Sequence, residues 1–250
     1  MKALITGASS GLGSDFARIL RKRGYEVILV ARRQDRLVSL AEEIGGAQII
    51  VADLSDTDAC YRLYEQVKEQ NVDILINNAG FGVFGAFEST SLESELSLID
   101  VNIRAVHILT KLFLPDFIKK DSGYIMNVAS IAGLMSGGPL FASYYASKAY
   151  VRSLTLSVAE ELRRKRSKVK ICALCPGSVK TEFDSVAGVS NALDGLSSSK
   201  VAEYALDRML KGHKIIVPGF KSKCSHFFAK VLPDNLLCKI TYNIQKQKEQ

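Results

Sequence analysis

Short apolar runs alternate along the chain with longer segments in which apolar residues recur at helical spacing. The short runs predict strands at residues 2–6, 26–31, 47–52, 72–76, 123–129, 169–175 and 214–217. The longer segments predict helices at about 11–23, 34–44, 56–70, 92–119, 142–166 and 200–210. Because strands and helices that alternate with right-handed crossovers form a parallel sheet covered on both faces, we predict an α/β, doubly wound sheet of about seven strands.

Three segments depart from this regular pattern. Residues 182–199 are polar and rich in glycine and serine, which predicts a mobile loop over a site. The tail at 218–250 places apolar residues among lysines, which predicts a lid, a subunit contact or an amphipathic helix on a membrane surface, and we favour the first two. The apolar residues of this tail are Phe220, Phe227, Phe228, Val231, Leu232, Leu236, Leu237 and Ile240. Pro115 predicts that the helix at 92–119 kinks or ends near it.

The composition is that of an ordinary soluble protein. A chain of 250 residues, 47% apolar and 24% charged, can form one domain with a sizeable core. Much of the net charge of +7 lies in residues 163–166 and 239–248, without the interleaved aromatic residues of a nucleic-acid-binding motif. We therefore expect no nucleic-acid partner, and attraction for an anionic ligand.

The N-terminal residues and the cysteines indicate a cytoplasmic protein. The chain enters a strand pattern at once and contains no apolar stretch of 18 residues, so we expect no signal peptide and no transmembrane segment. The five cysteines, an odd number, fit a reducing compartment. Cys172 and Cys175 form a CxxC in a predicted buried strand, but no second CxxC or flanking histidine completes a zinc set. We interpret both as core residues and expect no metal site.

A glycine-rich turn follows the first predicted strand and precedes a helix; it reads Thr6-Gly7-Ala8-Ser9-Ser10-Gly11-Leu12-Gly13. Glycines let the backbone approach a phosphate closely, and a helix N terminus presents free N–H groups to it. The spacing is GxxxGxG rather than the GxGxxG of the common dinucleotide fingerprint. Other polar motifs follow later strands, namely Asp53, Asn77–Gly80, Ser130 and Pro176-Gly177. Because ligands bind outside the carboxyl ends of parallel strands, we expect all of them to form one site.

Tyr144 and Lys148 lie four residues apart in a predicted helix, so their side chains share one face, about 5–6 Å apart at Cβ. A fixed positive charge stabilises a phenolate and lowers the tyrosine pKa from its usual value of about 10. The pair therefore predicts a tyrosine that acts as acid and base, although an exposed tyrosine beside a solvated lysine has the same spacing. Tyr145 lacks this offset to a lysine.

Together these motifs resemble the short-chain dehydrogenase/reductase family. The matching residues are Thr6-Gly7-xxx-Gly11-x-Gly13, Asn77-Asn78-Ala79-Gly80, Ser130, Tyr144-xxx-Lys148 and Pro176-Gly177, and they extend the resemblance from residue 2 to about 217. The resemblance implies a Rossmann-type fold, a nicotinamide cofactor and hydride transfer to or from a carbonyl or alcohol carbon. It also implies a homodimer or homotetramer in which the helices at 92–119 and 142–166 pair across subunits.

The resemblance implies catalytic roles for Asn102, Ser130, Tyr144 and Lys148. Ser130 would orient the substrate oxygen beside the Tyr144 phenol, which gives a proton in reduction and takes one in oxidation. Lys148 would tune Tyr144 and bind the nicotinamide ribose, and Asn102 would hold a water of the proton relay. Ser130 and Tyr144 are fourteen residues apart, slightly more than the family pattern, so we expect the loop at 134–140 to reshape the mouth of the substrate site.

The second strand indicates which nicotinamide cofactor binds. It runs into Arg32 and Arg33, with no acid before Asp35. An acid there binds the ribose of NAD and repels a 2′-phosphate, whereas a guanidinium binds that phosphate, so we expect NADP(H) with Arg32 as first ligand and Arg33 as second. The alternative is that both arginines merely begin the next helix. With the contacts that the resemblance implies, the expected cofactor residues are Gly7, Ser9, Ser10, Gly11, Leu12, Gly13, Arg32, Arg33, Asp53, Leu54, Asn78, Ala79, Gly80, Tyr144, Lys148, Pro176, Gly177, Val179 and Thr181.

Two other functions are compatible with parts of the sequence. Residues 7–11 also satisfy GxSxG, the nucleophile elbow of serine hydrolases, but only His226 remains as a base on a later loop. A non-catalytic NADP(H)-sensing protein would need the glycine turn without the acid–base residues. The substrate is a small molecule of unassigned structure, such as a steroid, a 3-oxoacyl compound or a small ketone. We assign residues 182–210 and 218–250, within the single domain 1–250, to its pocket.

Overall fold

A seven-stranded parallel sheet forms the centre of the computed structural model, which describes residues 1–189 and 195–248. The strands are β1 (Lys2–Thr6), β2 (Glu26–Ala31), β3 (Gln48–Val51), β4 (Ile74–Asn77), β5 (Tyr124–Val128), β6 (Lys170–Leu174), β7 (Val179–Lys180), β8 (Leu196–Ser197) and β9 (Ile215–Ile216). The large sheet has the order β3-β2-β1-β4-β5-β6-β9, and β7 and β8 form a separate parallel pair. Strands β2 and β3 lie on one side of β1, and β4 and the strands after it lie on the other. The carboxyl ends of β1 and β4 therefore flank the switch point at which such sheets bind ligands.

Helices cover both faces of this sheet, which confirms the predicted doubly wound fold. The α-helices are α1 (Gly11–Lys22), α2 (Gln34–Glu43), α3 (Thr57–Val67), α4 (Leu92–Ile99), α5 (Val106–Lys119), α6 (Ala142–Arg164), α7 (Phe183–Val186), α8 (Ser198–Leu210), α9 (Phe220–Phe228) and α10 (Asp234–Lys246). One apolar core joins the sheet to α1, α2 and α8, and includes Phe16, Leu37 and Leu206. The other joins it to α3, α5 and α6. The sheet is therefore buried on both sides, as its nearly continuous apolar strands require.

The predicted helix at 92–119 is interrupted, but not at Pro115. A π-helical segment, Asp100–Ala105, separates α4 from α5, and α5 continues through Pro115 to Lys119. The helix therefore ends shortly after Pro115, as expected, but Pro115 itself does not interrupt it. The π segment places Asn102 in the interior, completely buried.

The two segments that we assigned to the pocket contain more regular structure than predicted. Residues 182–189 hold the short helix α7, and β8 follows the undescribed part of the predicted loop, residues 190–194. The tail forms α9 and α10. Within residues 1–189 and 195–248 no helix is long and apolar enough to cross a membrane.

Candidate active site

A cavity of about 680 Å³ opens at the carboxyl ends of the strands. It is lined by residues that directly follow β1, β2, β3, β4, β5 and β6, as the parallel topology predicts. All the candidate catalytic and cofactor residues line it except Gly13 and Asn102, which lie behind its wall. The structure therefore brings the motifs of the sequence to one place.

The glycine turn is held rigidly against the loop that follows β4. The Thr6 hydroxyl accepts hydrogen bonds from the backbone N–H groups of Asn78 and Ala79, both at 3.0 Å. In return, the Asn78 amide donates to the carbonyl oxygens of Thr6 and Gly7, at 2.9 and 3.1 Å. A Cβ at Gly13 would lie 2.1 Å from the Gly7 carbonyl oxygen, so this position accepts no side chain.

The geometry of this turn fits a bound diphosphate. Gly7 and Gly11 adopt φ angles of +64° and +54°, which other residues rarely adopt. Ser10, the N-cap of α1, makes no side-chain capping bond, and the first turn of α1 carries no acid. The first N–H groups of α1 and its partial positive charge therefore face the cavity without a competing carboxylate on that turn.

The two arginines after β2 occupy different positions. Arg33 lies over the glycine turn, where its guanidinium donates to the Ser9 hydroxyl at 3.2 Å and the Ser10 hydroxyl at 3.0 Å, and it pairs with Glu182 at 3.0 Å. Arg32 is more exposed and lies 3.7 Å from Asp53. Burial alone raises the pKa of Asp53, but hydrogen bonds from Ser55 and the charge of Arg32 lower it overall. Arg33 is therefore the better organised cation, the reverse of the order that the sequence suggested.

Tyr144 and Lys148 both project from α6 into the cavity. The Lys148 ammonium lies 5.7 Å from the centre of the Tyr144 ring and donates to the Val128 carbonyl at 2.9 Å. A Cβ at Gly80 would lie 3.2 Å from that ammonium nitrogen, so the glycine leaves room beside it. The Ser130 hydroxyl hydrogen-bonds to Tyr144 and accepts from the Ala132 backbone N–H at 3.1 Å.

Burial controls the ionisation of this pair. It raises the pKa of the Tyr144 phenol above its usual range, and the hydrogen bond with Ser130 only partly counteracts this effect. Burial also lowers the pKa of Lys148 to about 8. The lowered tyrosine pKa expected from the Tyr144–Lys148 spacing is therefore not found in this structure, because desolvation of the phenol outweighs the hydrogen bond with Ser130.

Asn102 does not line the cavity, but its side chain connects two segments that do. Its side-chain oxygen accepts from the Phe81 backbone N–H at 3.1 Å, and its amide donates to the Phe81 carbonyl at 2.9 Å and to the Ser147 hydroxyl at 3.1 Å. Ser147 in turn donates to the Tyr144 carbonyl at 2.7 Å. The Asn102 side chain thus joins the loop after β4 to the part of α6 that carries Tyr144. Sequence reasoning missed Ser147, although it directly precedes Lys148.

The other end of the cavity is aromatic and is lined by residues of the tail. The Tyr144 ring packs against Phe141 and Phe183, with centroids 5.3 and 5.2 Å away. The loop before α6 and the helix α10 both line this end, through Met135 and a group of tail residues: Leu237, Ile240, Thr241, Ile244, Gln245 and Lys248. Leu140, in the loop that we expected to be reshaped, has a φ of +64°.

Tyr145, Gln245 and Lys248 also line the cavity, and sequence reasoning did not select them. The Gln245 amide donates to the Tyr145 hydroxyl at 2.7 Å. Positions 237, 241, 245 and 248 recur at helical spacing, but only Leu237 among them is apolar, so no apolar periodicity marked this buried face in the sequence.

The rival chemistries lack support in the geometry. Cys172 and Cys175 are free, buried and packed in different apolar clusters, and burial raises the pKa of both thiols. Within residues 1–189 and 195–248 no group of three or more His, Cys, Asp or Glu side chains could hold a metal ion. Ser9, the nucleophile of the alternative hydrolase, faces Arg33, and none of the described residues that line the cavity is a histidine.

Comparisons with known proteins agree with this geometry. A family model described as short chain dehydrogenase matches residues 1–189. Oxidoreductase UcpA of Salmonella typhimurium is 37% identical over 199 residues, which cover 77% of this chain and 74% of that protein. A probable short-chain type dehydrogenase/reductase, VdlC of Helicobacter pylori, is 34% identical over 187 residues, covering 74% of this chain and 67% of that protein.

Solved structures show the same fold with two different cofactors. A short-chain dehydrogenase from Sphingobium yanoikuyae in complex with NADPH has a TM-score of 0.82 and 27% identity, over 93% of this chain and 96% of that chain. A short-chain dehydrogenase/reductase from Burkholderia phymatum in complex with NAD also has a TM-score of 0.82, with 25% identity over 91% of this chain and 92% of that chain.

Proposed function

Because the chain belongs to the short-chain dehydrogenase family and is an oxidoreductase of that family, we propose that it transfers a hydride between NADP(H) and a carbonyl or secondary alcohol. One observation carries the proposal. The hydroxyl groups of Ser130 and Tyr144 and the ammonium of Lys148 meet in one cavity with the glycine turn. A reacting carbon placed there is within reach of both a proton donor and the dinucleotide.

The residues divide the chemistry among them. NADPH supplies the hydride when it is bound. The Ser130 hydroxyl positions the substrate oxygen next to Tyr144, and the phenol donates its proton to that oxygen as negative charge develops. The Lys148 ammonium stabilises the phenolate that remains, and Asn102 holds α6 in register with the loop after β4. In oxidation the same groups act in the opposite direction.

The preference for NADP(H) over NAD(H) rests on Arg33 and Arg32. A 2′-phosphate beside the glycine turn would meet the guanidinium that Ser9 and Ser10 already orient, and charge-assisted bonds of this kind are strong. Asp53, which is paired with Ser55 and Arg32, would contact the adenine. Because solved relatives include one with NADPH and one with NAD, the preference rests on the two arginines.

The substrate pocket is the aromatic end of the cavity, with α10 as its lid. We further propose that the working unit is a homodimer or homotetramer, paired through α4, α5 and α6. The packing of α10 over the site favours the lid over the other interpretations of the tail.

The test is NADPH oxidation followed over a panel of ketosteroids, 3-oxoacyl esters and small ketones. We expect turnover of at least one class, abolished in Tyr144→Phe with unchanged NADPH affinity. Tyr150→Phe is the matched control, because Tyr150 lies on the same helix but is exposed and hydrogen-bonded to His107. NADPH binding without turnover of any carbonyl would instead favour a cofactor-sensing protein. Ester hydrolysis that Ser9→Ala abolishes, without nucleotide binding, would favour the hydrolase.

A further inference from the structure

The wall that α10 contributes to the cavity contains one buried polar group without a full set of partners. Thr241 satisfies its own hydroxyl by donating to the Leu237 carbonyl at 2.8 Å. Gln245 is only 5% exposed, and its amide nitrogen donates to the Tyr145 hydroxyl at 2.7 Å. Its side-chain oxygen is buried and has no hydrogen-bond partner among the described residues.

This result does not depend on how the amide is oriented. If the amide is rotated, the Tyr145 hydroxyl donates to the oxygen of Gln245 and the amide nitrogen is left without a partner. In either orientation one buried polar atom of Gln245, a residue that lines the cavity, remains unpaired. Buried polar atoms in native proteins are almost always hydrogen-bonded, so a group on the bound ligand is the natural partner.

Lys248 and Asp184 restrict the charge of that group. Their side chains are 10% and 16% exposed and lie 3.7 Å apart, with the Lys248 ammonium 5.4 Å from the centre of the Phe141 ring. The ammonium is thus already balanced by a carboxylate, and a second carboxylate would be repelled by Asp184. A neutral hydroxyl fits better, because it can donate to the oxygen of Gln245 or accept from the nitrogen.

The remaining lining limits the body of the ligand. Tyr145 neighbours Tyr144, with ring centroids 6.3 Å apart, so the amide lies in the same pocket as the reacting phenol. The cavity is also lined by the apolar side chains of Phe228, Leu232 and Ile240.

We infer that the substrate is a largely apolar ketone or alcohol with a second, neutral hydroxyl group that hydrogen-bonds to Gln245 while its reacting carbon lies at Tyr144. This inference rests on the proposed oxidoreductase function. Tyr145 is then a positioning residue that holds the amide, and α10 is the element that selects the substrate.

The test compares matched ligands that differ only in the remote group. Monocyclic, bicyclic and tricyclic alcohols are titrated calorimetrically, with and without NADP⁺, each as the parent, the remote-hydroxyl and the remote-carboxylate form. NADPH oxidation with the corresponding ketones is followed in parallel. The variants are Gln245→Met, which keeps the length of the side chain, and Gln247→Met, a control on the same tail whose side chain is exposed.

For at least one ring size, we expect the hydroxylated alcohol to bind about tenfold more tightly than its parent to the wild type and to Gln247→Met. In Gln245→Met, the hydroxylated alcohol and its parent should bind with about equal affinity. Equal affinities for every pair, an undiminished preference in Gln245→Met, or tightest binding of the carboxylates would overturn the inference. If Gln245→Met does not fold, Gln245→Leu replaces it, and a hydroxyl preference that survives in this variant counts against the inference.

The two proposals can fail separately. A hydroxyl preference in binding without turnover of any ketone would contradict the proposed function alone. Turnover of the ketones with no effect of the hydroxyl group would contradict this inference alone.

Discussion

Arg33→Ala tests how the protein recognises its cofactor. The substitution removes the guanidinium that lies against the Ser9 and Ser10 hydroxyls at the edge of the cavity. It also removes one of the partners of Glu182, whose pKa is lowered mainly by its hydrogen bond from Arg36 and then by that from Arg33. A 2′-phosphate would lose its best organised cation, whereas NADH, which lacks that phosphate, would lose little.

The size of the effect follows from the exposure of Arg33. A hydrogen bond to a charged group contributes about 1.5–3 kcal/mol, or about 10- to 150-fold in dissociation constant. The Arg33 side chain is 40% exposed, and solvent screens exposed charges. We therefore expect the lower end of the range for Arg33→Ala, about tenfold weaker NADPH binding with NADH binding changed less than about threefold. The double variant Arg32→Ala/Arg33→Ala should weaken NADPH binding further.

Fluorescence titration of both cofactors at fixed ionic strength measures this ratio. Arg36→Ala is the matched control: Arg36 pairs with the same Glu182 and carries the same charge, but it does not line the cavity. The ratio of NADPH to NADH affinity should stay unchanged in this control. Equal losses for both cofactors in Arg33→Ala, or the same ratio change in Arg36→Ala, would refute phosphate recognition by Arg33.

Three further substitutions test the site. Gly13→Ala should abolish dinucleotide binding and lower the free energy of unfolding by about 1–3 kcal/mol in urea, because its Cβ would lie 2.1 Å from the Gly7 carbonyl oxygen. Ser130→Ala should lower kcat at least about tenfold at unchanged NADPH affinity. Burial lowers the pKa of Lys148 to about 8, so between pH 8 and 10.5 the unfolded chain holds a proton that the folded chain has lost. Wild-type stability should therefore rise with pH across that window by up to about 3 kcal/mol relative to Lys148→Met.

Specific results would contradict each of these expectations. Folded Gly13→Ala with normal NADPH affinity would mean that the turn can relax. An unchanged kcat in Ser130→Ala would separate Ser130 from the chemistry. A stability difference between the wild type and Lys148→Met that is constant from pH 7 to pH 10.5 would mean that the ammonium is hydrated when the protein is folded. Lys119→Met, at an exposed position, serves as the control for the last comparison.

The sheet and the cavity could be predicted because their signals are local. Each central strand is a short apolar run, and each site motif directly follows one of these runs. Parallel topology then places all of the motifs at one edge without any knowledge of distant contacts. Tyr144 and Lys148 share one face of α6 by helical periodicity alone.

What the sequence did not show depends on packing between distant segments. The contact between Tyr145 and Gln245 joins residues 100 positions apart. The π segment at Asp100–Ala105 is also hidden, because a single wide turn hardly alters an apolar periodicity.

The raised pKa of Tyr144 and the position of Arg33, rather than Arg32, at the glycine turn also depend on packing between distant segments. Phe141 and Phe183 pack against the Tyr144 ring, and burial raises the pKa of its phenol, which spacing along one helix cannot reveal. Arg33 rather than Arg32 faces the glycine turn because Ser9, Ser10 and Glu182 hold its guanidinium there.

The most direct test of the central claim is single-turnover reduction of an accepted ketone by NADPH in which both hydrogens at C4 of the nicotinamide are replaced by deuterium. The wild type should yield an alcohol with deuterium on the former carbonyl carbon. Tyr144→Phe should slow that transfer by at least about a hundredfold while NADPH affinity stays within about twofold, since proton transfer from a positioned acid typically contributes 10²–10⁴-fold. Transfer at a nearly wild-type rate in the variant, or an alcohol without deuterium, would contradict the account.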